Sequence, residues 1–174
     1  MEQIHAHGYV TAYRITPEGY REFVDAGRNT LSYGCADANA ALFAGDADWK
    51  PSKVVFVCAS ASGKEVDFHF DPSSATKRVQ DEETILGDRF DALDEVDLDP
   101  NPKRDVPPGT AEGTYAANRV TFTALTKRND AAVTVYGFLL KAANGKVLAT
   151  RKLTQGLPKT AGYALAVTWA VTFN

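Results

Sequence analysis

The clearest pattern in the chain is the alternation of large and small side chains over residues 164–173. Leu165, Val167, Trp169, Val171 and Phe173 alternate there with alanines and threonines. A period of two places the large apolar side chains on one face of a β-strand and the small ones on the other. We therefore predict a strand whose large residues enter a core, while its Ala/Thr face allows another element to pack closely.

The C-terminal half as a whole predicts four strands joined by short connections. The predicted strands cover 119–125, 132–140, 147–153 and 165–173. Asn144-Gly145, between the second and the third, is a dipeptide typical of two-residue hairpins. Four such strands in succession are typical of a meander or a Greek-key sandwich.

The N-terminal half predicts a hairpin, a helix and a central strand. The hairpin covers 8–24 with its turn at 16–19, the helix covers 32–44, and an apolar strand covers 53–59. Gly45 stands where the C-terminal cap of the helix is expected. The prediction is a mainly β chain: one antiparallel β-sandwich or jelly-roll-like domain over residues 1–174, with one short helix.

The predicted core contains Trp169 together with apolar residues from three other strands. We expect it to bury Phe56, Phe122, Val135, Val167 and Trp169. Two cysteines cannot form a disulfide framework, and both stand among apolar neighbours, which indicates buried free thiols. These are Cys35 and Cys58.

Charge is distributed unevenly along the chain. Residues 71–112 hold 12 acidic and 5 basic residues, a net charge of −7, while the rest holds 10 and 14, a net of +4, which gives the total of −3. Five of the eight prolines also fall within 71–112. We therefore predict an acidic, proline-rich insertion that does not form a regular sheet, with a short helix or docked turn over 84–93.

Within the insertion, residues 94–112 are predicted to form an extended arm that a partner orders. Prolines and carboxylates leave little apolar surface to offset the entropy of ordering this stretch. Three spaced apolar residues could anchor it in the groove of a partner. The candidate partner-binding residues are Asp94, Glu95, Val96, Asp97, Leu98, Asp99 and Val106.

Composition argues against several classes of function. The net charge of −3 provides no basic footprint for nucleic acid, and no apolar stretch approaches the ~20 residues of a membrane-spanning helix. The first residues lack the basic start and apolar run of a signal peptide, so we expect folding in a cytoplasm. We expect neither nucleic acid nor membrane as a partner.

Candidate metal ligands are few and poorly matched to known sites. His5 and His7 share a strand face, but the third histidine, His69, is distant in sequence. The pattern Asp97-x-Asp99-x-Asn101 resembles the start of a calcium loop, yet Pro102 replaces its glycine and a second proline its bidentate glutamate. We therefore expect no metal site.

No sequence motif predicts catalysis. The chain contains no nucleophile motif, no glycine-rich phosphate loop and no Cys-x-x-Cys pair. Asp94 and Glu95 are adjacent carboxylates, but no other feature of the sequence supports a role as an acid and base pair. We therefore expect a protein that is not an enzyme, with no catalytic residues and no cofactor.

Three stretches, in order, resemble the small β-rich virion proteins of tailed bacteriophages. The first, 25–45, combines an asparagine, a small-residue helix and a glycine. The second joins the apolar strand and glycine loop of 53–63 to the Thr/Leu segment of 81–86. The third is the hairpin of 133–151 with the tryptophan-bearing strand of 165–173.

This resemblance implies a virion structural protein, made in the host cytoplasm, that decorates and stabilises the capsid as a cement protein. It further implies the major capsid protein and copies of the chain itself as partners, in a homotrimer or another oligomer. Two alternatives remain: a neck, tail or fibre-attachment protein, and a carbohydrate-binding β-sandwich. The last would need exposed aromatics, and the alternation of the candidates with core residues favours burial: Tyr13, Tyr20, Tyr115, Tyr136 and Tyr163.

Overall fold

The computed structural model describes residues 6–31, 33–59, 90–99, 102–105, 118–126 and 132–173. They form ten strands and one α-helix: β1 (Ala6–Ile15), β2 (Arg21–Arg28), β3 (Thr30–Leu31), α1 (Tyr33–Phe43), β4 (Pro51–Ala59), β5 (Phe90–Asp97), β6 (Lys103–Asp105), β7 (Asn118–Leu125), β8 (Val133–Ala142), β9 (Val147–Lys159) and β10 (Ala164–Phe173). A short 3₁₀ helix, Ala47–Trp49, precedes β4. The mainly β prediction is confirmed.

The strands form two antiparallel sheets that pack as a sandwich. The first sheet has the order β2-β1-β10-β7-β6, and the second has the order β3-β9-β8-β4-β5. In the C-terminal half, β8 and β9 form a hairpin in the second sheet, while β7 and β10 pair with each other in the first. This nested pairing is jelly-roll-like, so the simple meander is wrong.

The core lies between the sheets, with Trp169 at its centre. Trp169 and Phe56 are fully buried, and Phe56 meets Phe138 edge to face at 5.3 Å between ring centroids. The five residues expected in the core belong to one cluster of buried side chains, which confirms that prediction. The large residues of β10 therefore point into the core, as their alternation with small residues predicted.

Glycines in the left-handed region end α1 and turn the β8–β9 hairpin. Gly45 has a φ of +87° directly after the helix, and Gly145 has a φ of +84°. A side chain at either position would be strained, so these two turns depend on glycine. The sequence predictions of the helix cap and of the Asn-Gly turn are confirmed.

The chain passes from one sheet to the other at both edges of the sandwich. At one edge only Asn29 separates β2 in the first sheet from β3 in the second, and its backbone N–H donates to the Gly8 carbonyl at 3.2 Å. At the other edge β5 leaves the second sheet. The Leu98 N–H then donates to the Ser52 carbonyl at 2.8 Å, and the Asp99 N–H donates to the Thr123 carbonyl of β7 at 2.9 Å. Such crossings turn the corners of a sandwich.

The second crossing corrects the prediction for the acidic insertion. Residues Phe90–Asp97 pair with β4 at seven positions, with Leu93 left out at a bulge, instead of forming a helix or a free arm, and Lys103–Asp105 pairs with β7. Residues 71–112 contain no proline between Pro72 and Pro100, so the backbone of β5 is free to donate every ladder hydrogen bond. Leu98, Asp99 and Pro102 are also described, and the rest of 71–112 lies outside the described ranges.

Candidate interaction surface

The predicted partner-binding residues lie on β5 and at its crossing between the sheets. Val96 is half-buried, Leu98 is 8% exposed, and Asp97 and Asp99 are exposed. The backbone of Asp94 pairs with Phe56, whereas its side chain and the whole of Val106 lie outside the described residues. Leu98 is part of the sandwich core, so it anchors the crossing and not a partner's groove.

Glu95 is paired within the chain. Its carboxylate lies 3.1 Å from Lys53 Nζ and 3.4 Å from Lys141 Nζ. Partial burial acts to raise the pKa of this carboxyl, but the hydrogen bonds and charges of the two lysines outweigh that effect and lower the pKa. Glu95 therefore holds β4, β5 and β8 together.

The crossing at Asp97–Asp99 separates two grooves. The smaller, of about 290 Å³, lies beside Lys50 and Pro102, and the larger, of about 550 Å³, lies beside Leu125 and Thr168. Asp97, Leu98 and Asp99 line both grooves. Leu125, Ala166 and Thr168, which line the larger groove, belong to the side of the first sheet that faces away from the core.

We call that side the outer face. It is formed by the side chains of β1, β10 and β7 that alternate with the core residues: His7, Tyr9, Thr11, Tyr13, Ile15, Ala164, Ala166, Thr168, Ala170, Thr172, Arg119, Thr121, Thr123 and Leu125. Ile15, Ala164 and Ala166 are buried there in a small second cluster against which Tyr13 packs. Small residues of β10 form its floor, as the sequence predicted. Tyr9 and Tyr13 of β1 flank this floor on one side, and Leu125 of β7 flanks it on the other.

Three large apolar side chains of the first sheet are exposed on this side. Tyr9 is 49% exposed, Phe23 of β2 is 66% exposed, and Leu125 is 54% exposed. Tyr13 meets Phe23 edge to face at 6.3 Å and 77° between ring planes. The Arg21 guanidinium lies over the same Tyr13 ring, with its Cζ 5.8 Å from the ring centroid. These contacts fix the aromatic side chains before any partner arrives, which lowers the entropic cost of binding.

Basic residues border the outer face at both edges of the sheet. One register row runs across all five strands through Arg28, Tyr9, Ala170, Thr121 and Lys103. Arg28 and Lys103 are both exposed. The face therefore combines a floor of small Ala and Thr side chains, exposed apolar residues beside that floor and a basic residue at each edge. This combination favours a partner with apolar side chains and acidic margins.

Two aromatic predictions change with the structure. Tyr20 is 73% exposed, so its predicted burial is wrong, while Tyr13, Tyr136 and Tyr163 are half-buried. Tyr115 lies outside the described residues. The exposure of Phe23 was not predicted. Its strand, β2, alternates only weakly between apolar and polar residues, and the nearby Arg21 and Glu22 are charged. That charge was the signal that β2 stands at an edge.

The described ranges bring no metal ligands together. Within them no group of three His, Cys, Asp or Glu side chains is placed to hold a metal ion. His7 is exposed on β1, and His5, His69 and Asn101 lie outside the described residues. Both Cys35 and Cys58 are free thiols, as predicted, although each is only partly buried.

No described helix has the length and apolar character needed to cross a membrane. Comparisons with protein-family models, with curated proteins and with solved structures give no match for this chain.

Proposed function

We propose that this chain is a non-enzymatic structural protein of a bacteriophage particle, where it decorates the capsid and stabilises the head. Its outer face is the surface that binds the major capsid protein. The observation that carries the proposal is the outer face itself, a sheet surface with Tyr9, Phe23 and Leu125 exposed around a floor of small residues. The resemblance of the sequence to small β-rich virion proteins supplies the class of particle.

The shape of the sandwich suits a clamp between neighbouring capsid subunits. The chain crosses between the sheets at both edges of the sandwich, so the sheet that a partner meets is joined to the second sheet on two sides. Exposed aromatic side chains provide large contact areas at small cost in rotamer entropy. Each contact can be modest because a particle repeats it at many equivalent sites.

The charge distribution supports contacts between copies of the chain as well. Residues 71–112 carry a net charge of −7, and the edge of the outer face at β2 carries the exposed Arg28. Opposite charges of this kind steer association and set its orientation. We therefore expect a homo-oligomer on the capsid, weakened by high salt because screening reduces attraction between exposed charges.

Counting copies in purified particles tests this function. Gel densitometry or cryo-EM should find hundreds of copies per particle, located on the outside of the head. A few copies at the neck or on the tail would instead identify the alternative, a neck, tail or fibre-attachment protein. Complete absence of the chain from particles would exclude both functions.

A carbohydrate-binding function is favoured by one observation. Tyr20 and Phe23 are exposed on the same hairpin, beside the ion pair in which Arg14 donates to Glu22 at 2.7 Å. Exposed rings with neighbouring polar groups are typical of sugar-binding surfaces. A glycan array with the wild-type chain and the Tyr20→Ala variant tests it: a signal that needs Tyr20 supports glycan binding, and no signal excludes it.

A further inference from the structure

Helix α1 covers a cavity of about 170 Å³ at the opening between the two sheets. Four residues of the helix face it, spaced i, i+3, i+4 and i+7: Cys35, Ala38, Asn39 and Leu42. The opposite wall comes from both sheets, with Phe122 of the first sheet and Leu140 and Leu148 of the second. The cavity is therefore a partly open pocket between the helix and the inner faces of both sheets, with Asn39 and Leu42 exposed at its rim.

The walls of the cavity are almost entirely apolar. Among the described residues that line it, only Asn39 and Cys35 carry polar side-chain atoms, and none carries a charge. Phe122, Leu140 and Leu148 are at least nine-tenths buried. A charged ligand would lose its hydration here without gaining a partner, so the walls select neutral apolar molecules.

Small side chains on the helix leave this space open. Ala38 is 4% exposed and points at the wall, yet it carries only a methyl group, and Cys35 one turn earlier is little larger. Protein cores are close-packed, and voids much larger than a water molecule are few in any domain. A cavity of this size with dry walls is therefore suited to a ligand rather than to water.

We propose that the cavity under α1 binds a neutral apolar molecule about the size of a benzene ring or of a short hydrocarbon chain. Cavities of roughly 150 Å³ lined by Leu, Ile and Phe bind such molecules in other proteins. Leu42 is 39% exposed and also lines the cavity, so it stands between the cavity and solvent. This ligand site is separate from the outer face and does not depend on the function proposed above.

Benzene is the probe, and one pair of variants on α1 provides the matched control. Ala38→Leu fills the cavity, whereas Ala40→Leu makes the same substitution on an exposed side of the same helix. Benzene should raise the Tm of the wild type and of Ala40→Leu saturably, and should shift the methyl NMR signals of Leu140 and Leu148. Ala38→Leu should weaken the Kd for benzene by about tenfold or more. Benzoate should have no effect, because no cation lines the site.

The thiol of Cys35 provides a second readout that does not depend on the stability of the variants. Burial raises the pKa of the Cys35 thiol, so its alkylation by iodoacetamide should be slow and is best followed at mildly alkaline pH. Benzene should slow alkylation of Cys35 further in the wild type, with Cys58 of β4 as the internal reference in peptide mapping. An unsaturable response, equal effects of benzene on Ala38→Leu and Ala40→Leu, or no protection of Cys35 would overturn the proposal.

Discussion

Arg151 of β9 donates from Nη2 to the Asp25 carboxylate of β2 at 2.7 Å and so joins the two sheets at one edge of the sandwich. The same guanidinium donates from Nη1 to the Arg28 carbonyl at 3.0 Å. Both partners are largely buried, with side chains only 15% and 22% exposed. A Cβ on Gly27 would lie 2.7 Å from Arg151 Nη2, so the absence of a side chain there makes room for the pair.

Removing this pair should destabilise the fold more than removing a more exposed one of equal length. Asp25→Ala leaves a buried guanidinium without its anion, and we expect a loss of about 2–3 kcal/mol in the free energy of unfolding. The control is Glu22→Ala, which breaks the Arg14 pair, also 2.7 Å long but with side chains 33% and 44% exposed. That variant should lose less than about 1 kcal/mol. Equal losses in urea unfolding would show that burial of the pair contributes nothing.

Leu98 should matter for stability because it fixes the crossing between the sheets. The residue is 8% exposed within the core cluster, so Leu98→Ala should cost about 2–4 kcal/mol in chemical denaturation. The neighbouring Asp97→Ala is the control, since Asp97 is exposed at the same crossing. If the two variants unfold at the same denaturant concentration, residues 97–99 behave as a loop and the crossing is not structural.

Trp169 should tolerate phenylalanine far better than alanine. Its side chain is fully buried, and its indole Nε1 has no hydrogen-bond partner among the described residues. Trp169→Ala should cost about 3–5 kcal/mol through lost burial and the cavity that remains. Trp169→Phe also removes the unpaired N–H, which offsets part of the stability lost with the smaller ring. This variant should therefore cost less than about 2 kcal/mol. A larger loss for Trp169→Phe than for Trp169→Ala would contradict this account of the core.

The lowered pKa of Glu95 predicts a loss of stability in acid. The ordinary pKa of the group is 4.5, and Lys53 and Lys141 lower it in the folded chain against the opposing effect of burial. A carboxyl of this kind stabilises the fold at pH values above its unfolded pKa, and the contribution is lost as the pH falls through the folded pKa. The stability difference between the wild type and Glu95→Gln should therefore be constant above about pH 6 and shrink toward about pH 3.

Urea midpoints measured across this pH range check the prediction. Lys53→Met removes one of the two ammonium groups near Glu95. This variant should therefore lose less stability than the wild type as the pH falls. A difference between wild type and Glu95→Gln that stays constant down to the acid end would show that the folded state does not stabilise the Glu95 carboxylate.

Local patterns in the sequence predicted the elements whose structure depends little on residues distant in sequence. The strict alternation of β10, the Asn144-Gly145 turn and the cap at Gly45 each depend on a few adjacent residues, and all three are found in the structure. The two-residue period of β10 also predicts that the Trp169 side chain points into the core, on the same side as the other large residues of the strand. The fold class was therefore predictable from single segments.

The acidic insertion was mispredicted because composition averaged over 42 residues concealed its distribution. Prolines occur at its start and after Asp99, so β5, which lies between them, pairs with β4 without a missing donor. The partners of Glu95 come from β4 and β8, far away in sequence, and no local pattern can predict such pairing. The exposure of Phe23 likewise depends on β2 standing at the edge of its sheet.

Binding of surface variants to capsids tests the central claim most directly. To test the proposed decoration of phage capsids, capsids assembled without this chain are mixed with wild type, Phe23→Glu, Leu125→Glu or the control Phe43→Glu, and bound protein is measured after sedimentation. Phe23 and Leu125 border the outer face, whereas Phe43 is 95% exposed at the end of α1. We predict that Phe23→Glu and Leu125→Glu bind about tenfold or more weakly while Phe43→Glu binds like wild type. Undiminished binding of the first two variants, with or without loss for Phe43→Glu, would contradict the assignment of the outer face as the capsid-binding surface.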